Sequence, residues 1–76
     1  MEIKVLGTGC AKCKSLEQLT KDVVTELHID ATVTKVDDIV TIMGYNVLST
    51  PALVVDEKVI IQGRIPSKQE LQGLLQ

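Results

Sequence analysis

Ile3 and Val5 alternate with polar neighbours across Glu2 to Leu6, the period of two that marks a half-buried strand. Gly7-Thr8-Gly9 then breaks the run as a tight loop. From Cys10 to His28 the spacing changes. Leu16, Leu19, Val23 and Leu27 recur three and four apart, with Glu17, Lys21, Asp22 and Glu26 between them, which predicts a helix with one buried stripe. Counting back three residues from Leu16 puts Cys13 on that stripe, while Cys10 falls at the start of the helix.

Ala31 to Asp37 is rich in β-branched residues and reads as a second strand, and a strand–helix–strand unit implies parallel pairing. Asp37 or Asp38 can cap a short helix through Met43, with Ile39, Val40 and Met43 on one side and Gly44 as its stop. The β-branched content of that segment makes a strand the competing assignment. Thr50 to Val55 and Val59 to Gln62 are apolar runs about the polar turn Asp56-Glu57-Lys58, an antiparallel hairpin. Gly63 ends it. Ser67 with Glu70 three residues later forms a capping box that opens a last helix, its buried face Leu71, Leu74 and Leu75. The order is βαβαββα. An α/β fold with a mixed four-stranded sheet and helices on both faces, one domain over residues 1–76, buries all these stripes.

Charge and composition narrow the function. Eight Lys and Arg against ten Asp and Glu give a net charge of −2, which is no footprint for nucleic acid or an anionic membrane. Tyr45 is the one aromatic residue, so no platform for stacking bases or sugars exists. Valine, leucine and isoleucine supply 26 residues, and an aliphatic core is expected. No apolar run approaches the roughly 20 residues that span a bilayer, and the first residues lack the pattern of a signal peptide. The expectation is a cytoplasmic protein.

The chemistry lies in Cys10-Ala11-Lys12-Cys13. Two cysteines this close cannot staple distant parts of a chain, and in a reducing compartment the spacing points to redox chemistry or metal. Neighbours at i and i+3 of a helix can close a disulfide and reopen it with little backbone movement. The unpaired amides at a helix start favour negative charge, which makes Cys10 the natural thiolate. Cys13, one turn inside and shielded, suits the resolving role. Lys12 and Lys14 are candidates for raising the potential at Cys10, although exposed lysines are commonly just solvated. A zinc site needs four ligands and only His28 adds a good one. An inert pair of helix cysteines is the plainest alternative, and the strand–glycine loop–helix setting speaks against it.

These motifs resemble the thioredoxin-like superfamily, and more narrowly its small, glutaredoxin-sized prokaryotic redox-active disulfide proteins. The resemblance runs from the strand before Gly7-Thr8-Gly9-Cys10-Ala11-Lys12-Cys13, through Ser49-Thr50-Pro51-Ala52-Leu53-Val54-Val55, to Gly63. It implies a thiol–disulfide oxidoreductase without cofactor or metal, with Cys10 and Cys13 as the exchanging pair. It further implies a cis Pro51 against that pair, a Thr50 backbone that binds an extended substrate, and a Gly63 that lets the substrate chain approach. Its partners are a disulfide-bearing protein or small thiol and a reductase, and a monomer is expected. The sequence departs from thioredoxin at Gly9, where a tryptophan is usual, and at Ala11-Lys12, where Gly-Pro is usual. Lys4 stands where thioredoxins place a buried acid. No residues match the glutathione site of glutaredoxins. A second resemblance is to copper-chaperone domains, which carry Cu(I) on a similar C-x-x-C and would make this a soft-metal (Cu or Zn) carrier. Those domains have a methionine where this chain has Thr8, and a βαββαβ order. Tyr45 is expected as a core flank near the Pro51 loop, and Arg64 on the surface.

Overall fold

The structure is a computed structural model and describes residues 1–9 and 11–76. Its elements are β1 (Glu2–Leu6), α1 (Ala11–Glu26), β2 (Thr32–Val36), α2 (Ile39–Gly44), β3 (Ala52–Val55), β4 (Lys58–Gln62) and α3 (Lys68–Leu75). The sheet order is β2-β1-β3-β4. β1 and β2 pair in parallel, as the α1 crossover requires, while β1–β3 and β3–β4 are antiparallel. The fold is an α/β thioredoxin-like fold, and its order is not the βαββαβ of metal-carrying domains.

The pleat sends alternate residues of the central strands to opposite faces. Ile3 and Val5 of β1 and Leu53 of β3 join Leu16, Val23 and Val24 of α1 and Leu71 and Leu75 of α3 in the larger core. Leu6, Ala52 and Val54 face the other way and pack with Ile42 of α2 and Val47. Helices therefore cover both faces, two on one and a short one on the other.

The short helix turns a different side inward than the sequence suggests. Ile42 is its buried residue, while Ile39, Val40 and Met43 are 57%, 72% and 65% exposed. The Asp38 carboxylate accepts from the Thr41 amide at 3.3 Å and from its hydroxyl at 2.6 Å, which fixes a helix rather than a strand. A helix of six residues makes under two turns, and with its start fixed there only one position reaches the sheet. In α3 the inward pair is Leu71 and Leu75, one helical repeat apart, and Leu74, about 100° round the axis from Leu75, is 42% exposed. Leu19 and Leu27 of the α1 stripe are half-buried at its margin.

The capping box is half made. Ser67 Oγ accepts from the Glu70 amide at 3.1 Å, but the Glu70 carboxylate receives both terminal nitrogens of Arg64, at 2.8 and 2.6 Å. A bidentate guanidinium is a stronger partner for a carboxylate than one backbone amide. The hairpin turn is two residues, Asp56 and Glu57, with φ of 47° and 70°, the left-handed pair that matches strand twist. Among the described residues no helix is long and apolar enough to cross a membrane.

Candidate active site

β1 leads the chain into Gly7, whose amide donates to the Val36 carbonyl at 2.9 Å and extends the parallel pairing by one step. Gly7 is buried because α1 lies directly against it. A Cβ at this position would overlap Sγ of Cys13 and crowd its Cβ. The inward face of α1 then continues through Leu16, Thr20, Val23 and Val24. Thr20 is the buried polar member and its hydroxyl donates to the Leu16 carbonyl at 2.7 Å, which removes the cost of burying it. Cys13 itself is 1% exposed and disulfide-bonded. Cys10, expected at the helix start, lies outside the described residues. Lys12 and Lys14 are both exposed.

Antiparallel pairing brings a second segment to the same end of the sheet. Leu6 opposes Ala52, and Pro51, the residue before Ala52, therefore lies at the end where Gly7 leaves β1. The Thr50–Pro51 peptide is cis, Pro51 is buried and Thr50 is exposed. Ala52 in turn opposes Gln62, which delivers Gly63. Its amide donates to the Pro51 carbonyl at 2.8 Å. Gly63 has φ of 76°, and a Cβ there would stand 3.0 Å from Cβ of Ser49, two independent reasons for glycine. One step back, Oε1 of Gln62 accepts from the Leu48 amide at 2.8 Å. Cys13, Pro51, Thr50 and Gly63 are thus gathered on one rim of the sheet.

Lys4 alternates with Ile3 and Val5, and its side chain leaves β1 on the α2 face, opposite α1. There Nζ donates to Tyr45 Oη at 2.9 Å and to Glu57 Oε1 at 2.8 Å, with Glu2 at 3.3 Å. Tyr45 Oη donates to Glu57 Oε2 at 3.0 Å, and Lys4 Nζ lies 5.6 Å from the Tyr45 ring centroid. The bond to Glu57, then those to Tyr45 and Glu2, raise the Lys4 pKa, and the Lys4 ammonium lowers that of Glu57. Tyr45 is half-buried as expected, but its hydroxyl points to the β3–β4 turn and not to the Pro51 loop. His28 caps the far end of α1 with φ of 53°, remote from Cys13. Arg64 is exposed and bound to Glu70.

Sequence reasoning took Gly7 only as a loop breaker. The signal was available: a cysteine on the buried stripe of a helix that follows a strand this closely must press on the chain leaving that strand. Gln62 and Leu48 carried no such signal, because their bond depends on the pairing of β3 with β4. Among the described residues no three His, Cys, Asp or Glu side chains cluster as a metal site would require.

The family model described as Thioredoxin domain matches residues 1–76. The chain is 39% identical over 75 residues to a thioredoxin of Methanothermobacter thermautotrophicus, covering 99% of this chain and 97% of that protein. It is also 39% identical over 70 residues to a thioredoxin of Methanocaldococcus jannaschii, covering 92% of this chain and 80% of that one. With a four-stranded mixed sheet between helices and a C-x-x-C where β1 gives way to α1, the chain belongs to the thioredoxin domain family and is a thiol–disulfide oxidoreductase.

Proposed function

We propose that Cys10 and Cys13 are the exchanging pair and that Thr50, Pro51 and Gly63 receive the substrate beside them. The observation that carries this reading is the position of Cys13, disulfide-bonded and 1% exposed against Gly7, on the rim that also holds Pro51 and Gly63. In the reducing direction the Cys10 thiolate attacks one sulfur of a substrate disulfide. A Cys10–substrate mixed disulfide forms, and the other substrate sulfur leaves as a thiolate. Cys13 then gives up its proton and attacks Cys10 Sγ, which closes the Cys10–Cys13 bond and expels the second substrate thiolate. Two electrons pass to the substrate, and a reductase or reducing thiol returns them by the reverse steps.

The sixteen-residue α1 starts immediately after Cys10, and its unpaired first-turn amides favour the thiolate there. Lys12 and Lys14 add positive potential that salt would screen. Lys4 is bound to Tyr45 and Glu57 on the opposite face, so the Cys13 proton passes to water or to the departing thiolate rather than to a carboxylate at that position. The partners are a disulfide-bearing substrate and a reductase, met by a monomer in the cytoplasm.

Trapping tests the assignment. In Cys13→Ser the first step has no second attack to undo it, and intact mass should show a mixed disulfide that Cys10→Ser does not form. In the reduced protein a limiting alkylating reagent should label Cys10 before Cys13. Stable adducts on Cys13 instead, or no reversible two-electron oxidation of the wild type, would remove the assignment.

A further inference from the structure

No left-handed backbone requires a glycine at Gly7, since the positive φ values among the glycines belong to Gly9 and Gly63. What excludes a side chain there is space. A Cβ would overlap Sγ of Cys13 and stand 2.9 Å from its Cβ, whereas Gly9, Gly44 and Gly73 face open room. The Gly7 amide is bound to the Val36 carbonyl at 2.9 Å, so the strand end cannot retreat from α1 without lengthening that bond.

The two contacts differ in what relieves them. The approach of Cβ to Cβ is set by backbone alone and is common to the disulfide and the dithiol. The contact with Sγ belongs to the disulfide. Cys13 is bonded in this structure, and a bonded sulfur cannot turn about the Cα–Cβ axis away from its partner. A free thiol can, because a helical side chain has two low-energy χ1 wells. A methyl group on Gly7 therefore penalises the disulfide more than the dithiol.

We propose that Gly7 is a positioning residue for the redox pair: by keeping the seat of Cys13 Sγ clear it favours the closed disulfide over the dithiol, which makes this protein a stronger reductant than alanine there would allow. The inference rests on the reading of Cys10 and Cys13 as the exchanging pair. It bears on the closing step as well. When Cys13 attacks Sγ of Cys10 in a mixed disulfide, its sulfur must occupy the seat beside Gly7, so the same residue governs release of the substrate thiolate.

Exchange with glutathione measures the effect: the protein disulfide and two glutathione thiols give the protein dithiol and one glutathione disulfide, two electrons and two protons passing to the protein. The full-length wild type and Gly7→Ala are equilibrated at graded glutathione ratios, quenched with excess alkylating reagent, and the two forms counted by intact mass. Gly7→Ala should shift the equilibrium constant about tenfold toward the dithiol, the scale of one overpacked contact and about 30 mV for a two-electron couple. The urea midpoint of the disulfide form should fall further than that of the dithiol form. A glycine needed only for packing would lower both midpoints alike and leave the constant unmoved, and that result overturns the proposal. So does a Gly7→Ala chain that folds in neither form, because the dithiol should accommodate the methyl; a chain that folds only when reduced supports it. A wild type without reversible two-electron oxidation would overturn the reading of the pair and this inference with it, whereas a titrating wild type beside an unmoved Gly7→Ala overturns the inference alone.

Discussion

Gly7 is where the close packing of α1 can be measured. A Cβ there overlaps the Cys13 side chain, both residues are buried, and the Gly7 amide is held to the Val36 carbonyl, so relief needs a shift of backbone. Gly7→Ala is therefore expected to cost about 1–3 kcal/mol, the usual range for overpacking, read as a lower denaturant midpoint at constant slope. The penalty should shrink when Cys13 is also changed to Ala, because the overlapping sulfur is then gone; additive losses would refute this contact as the cause. That Cys13 sits on the buried stripe was legible from its spacing to Leu16. That a glycine had to receive it was not, since a breaker and a close-approach glycine look alike in one sequence.

The two-residue turn between β3 and β4 uses neither Asn nor Gly, although both its residues are left-handed, which L side chains disfavour. Contacts to β1 offset this: Asp56 exchanges bonds with Glu2 at 2.8 Å, and Glu57 binds Lys4 and Tyr45. Glu57 has a lowered folded-state pKa, so its contribution is full above the ordinary carboxylate pKa and is lost as pH falls through the folded value. Glu57→Gln should lower the urea midpoint at pH 7 and lose less of it than the wild type between pH 7 and pH 3. A residual slope will remain from Asp38 and Glu70, whose pKa values are also lowered; a slope equal to the wild type's would dismiss the turn from this role. The elements themselves were readable from periodicity, because α1 and the strands are long enough to repeat their pattern. α2 and α3 were read with wrong faces at Ile39, Val40, Met43 and Leu74. In so short a helix one residue shifts the inward direction by about 100°, and the cap geometry that settles it depends on where the preceding strand ends.

The sheet divides the molecule into two unequal cores. Ile3, Val5, Leu16, Leu53 and Leu71, all fully buried, tie β1 and β3 to α1 and α3. On the other face α2 contributes only Ile42. A chain of this size has little stability to spare, and most of it must come from the larger core. Leu53→Ala, which opens a cavity between β1, α1 and α3, is expected to cost about 2–5 kcal/mol and to speed amide exchange throughout the sheet. Ile42→Ala removes the anchor of a helix that can detach without opening β1, so its effect is bounded by the free energy of that local opening. Amides of α2 should therefore exchange faster than those of β1 in the wild type, and faster still in Ile42→Ala with β1 unchanged. Equal protection of α2 and β1 would show one cooperative unit and remove the distinction.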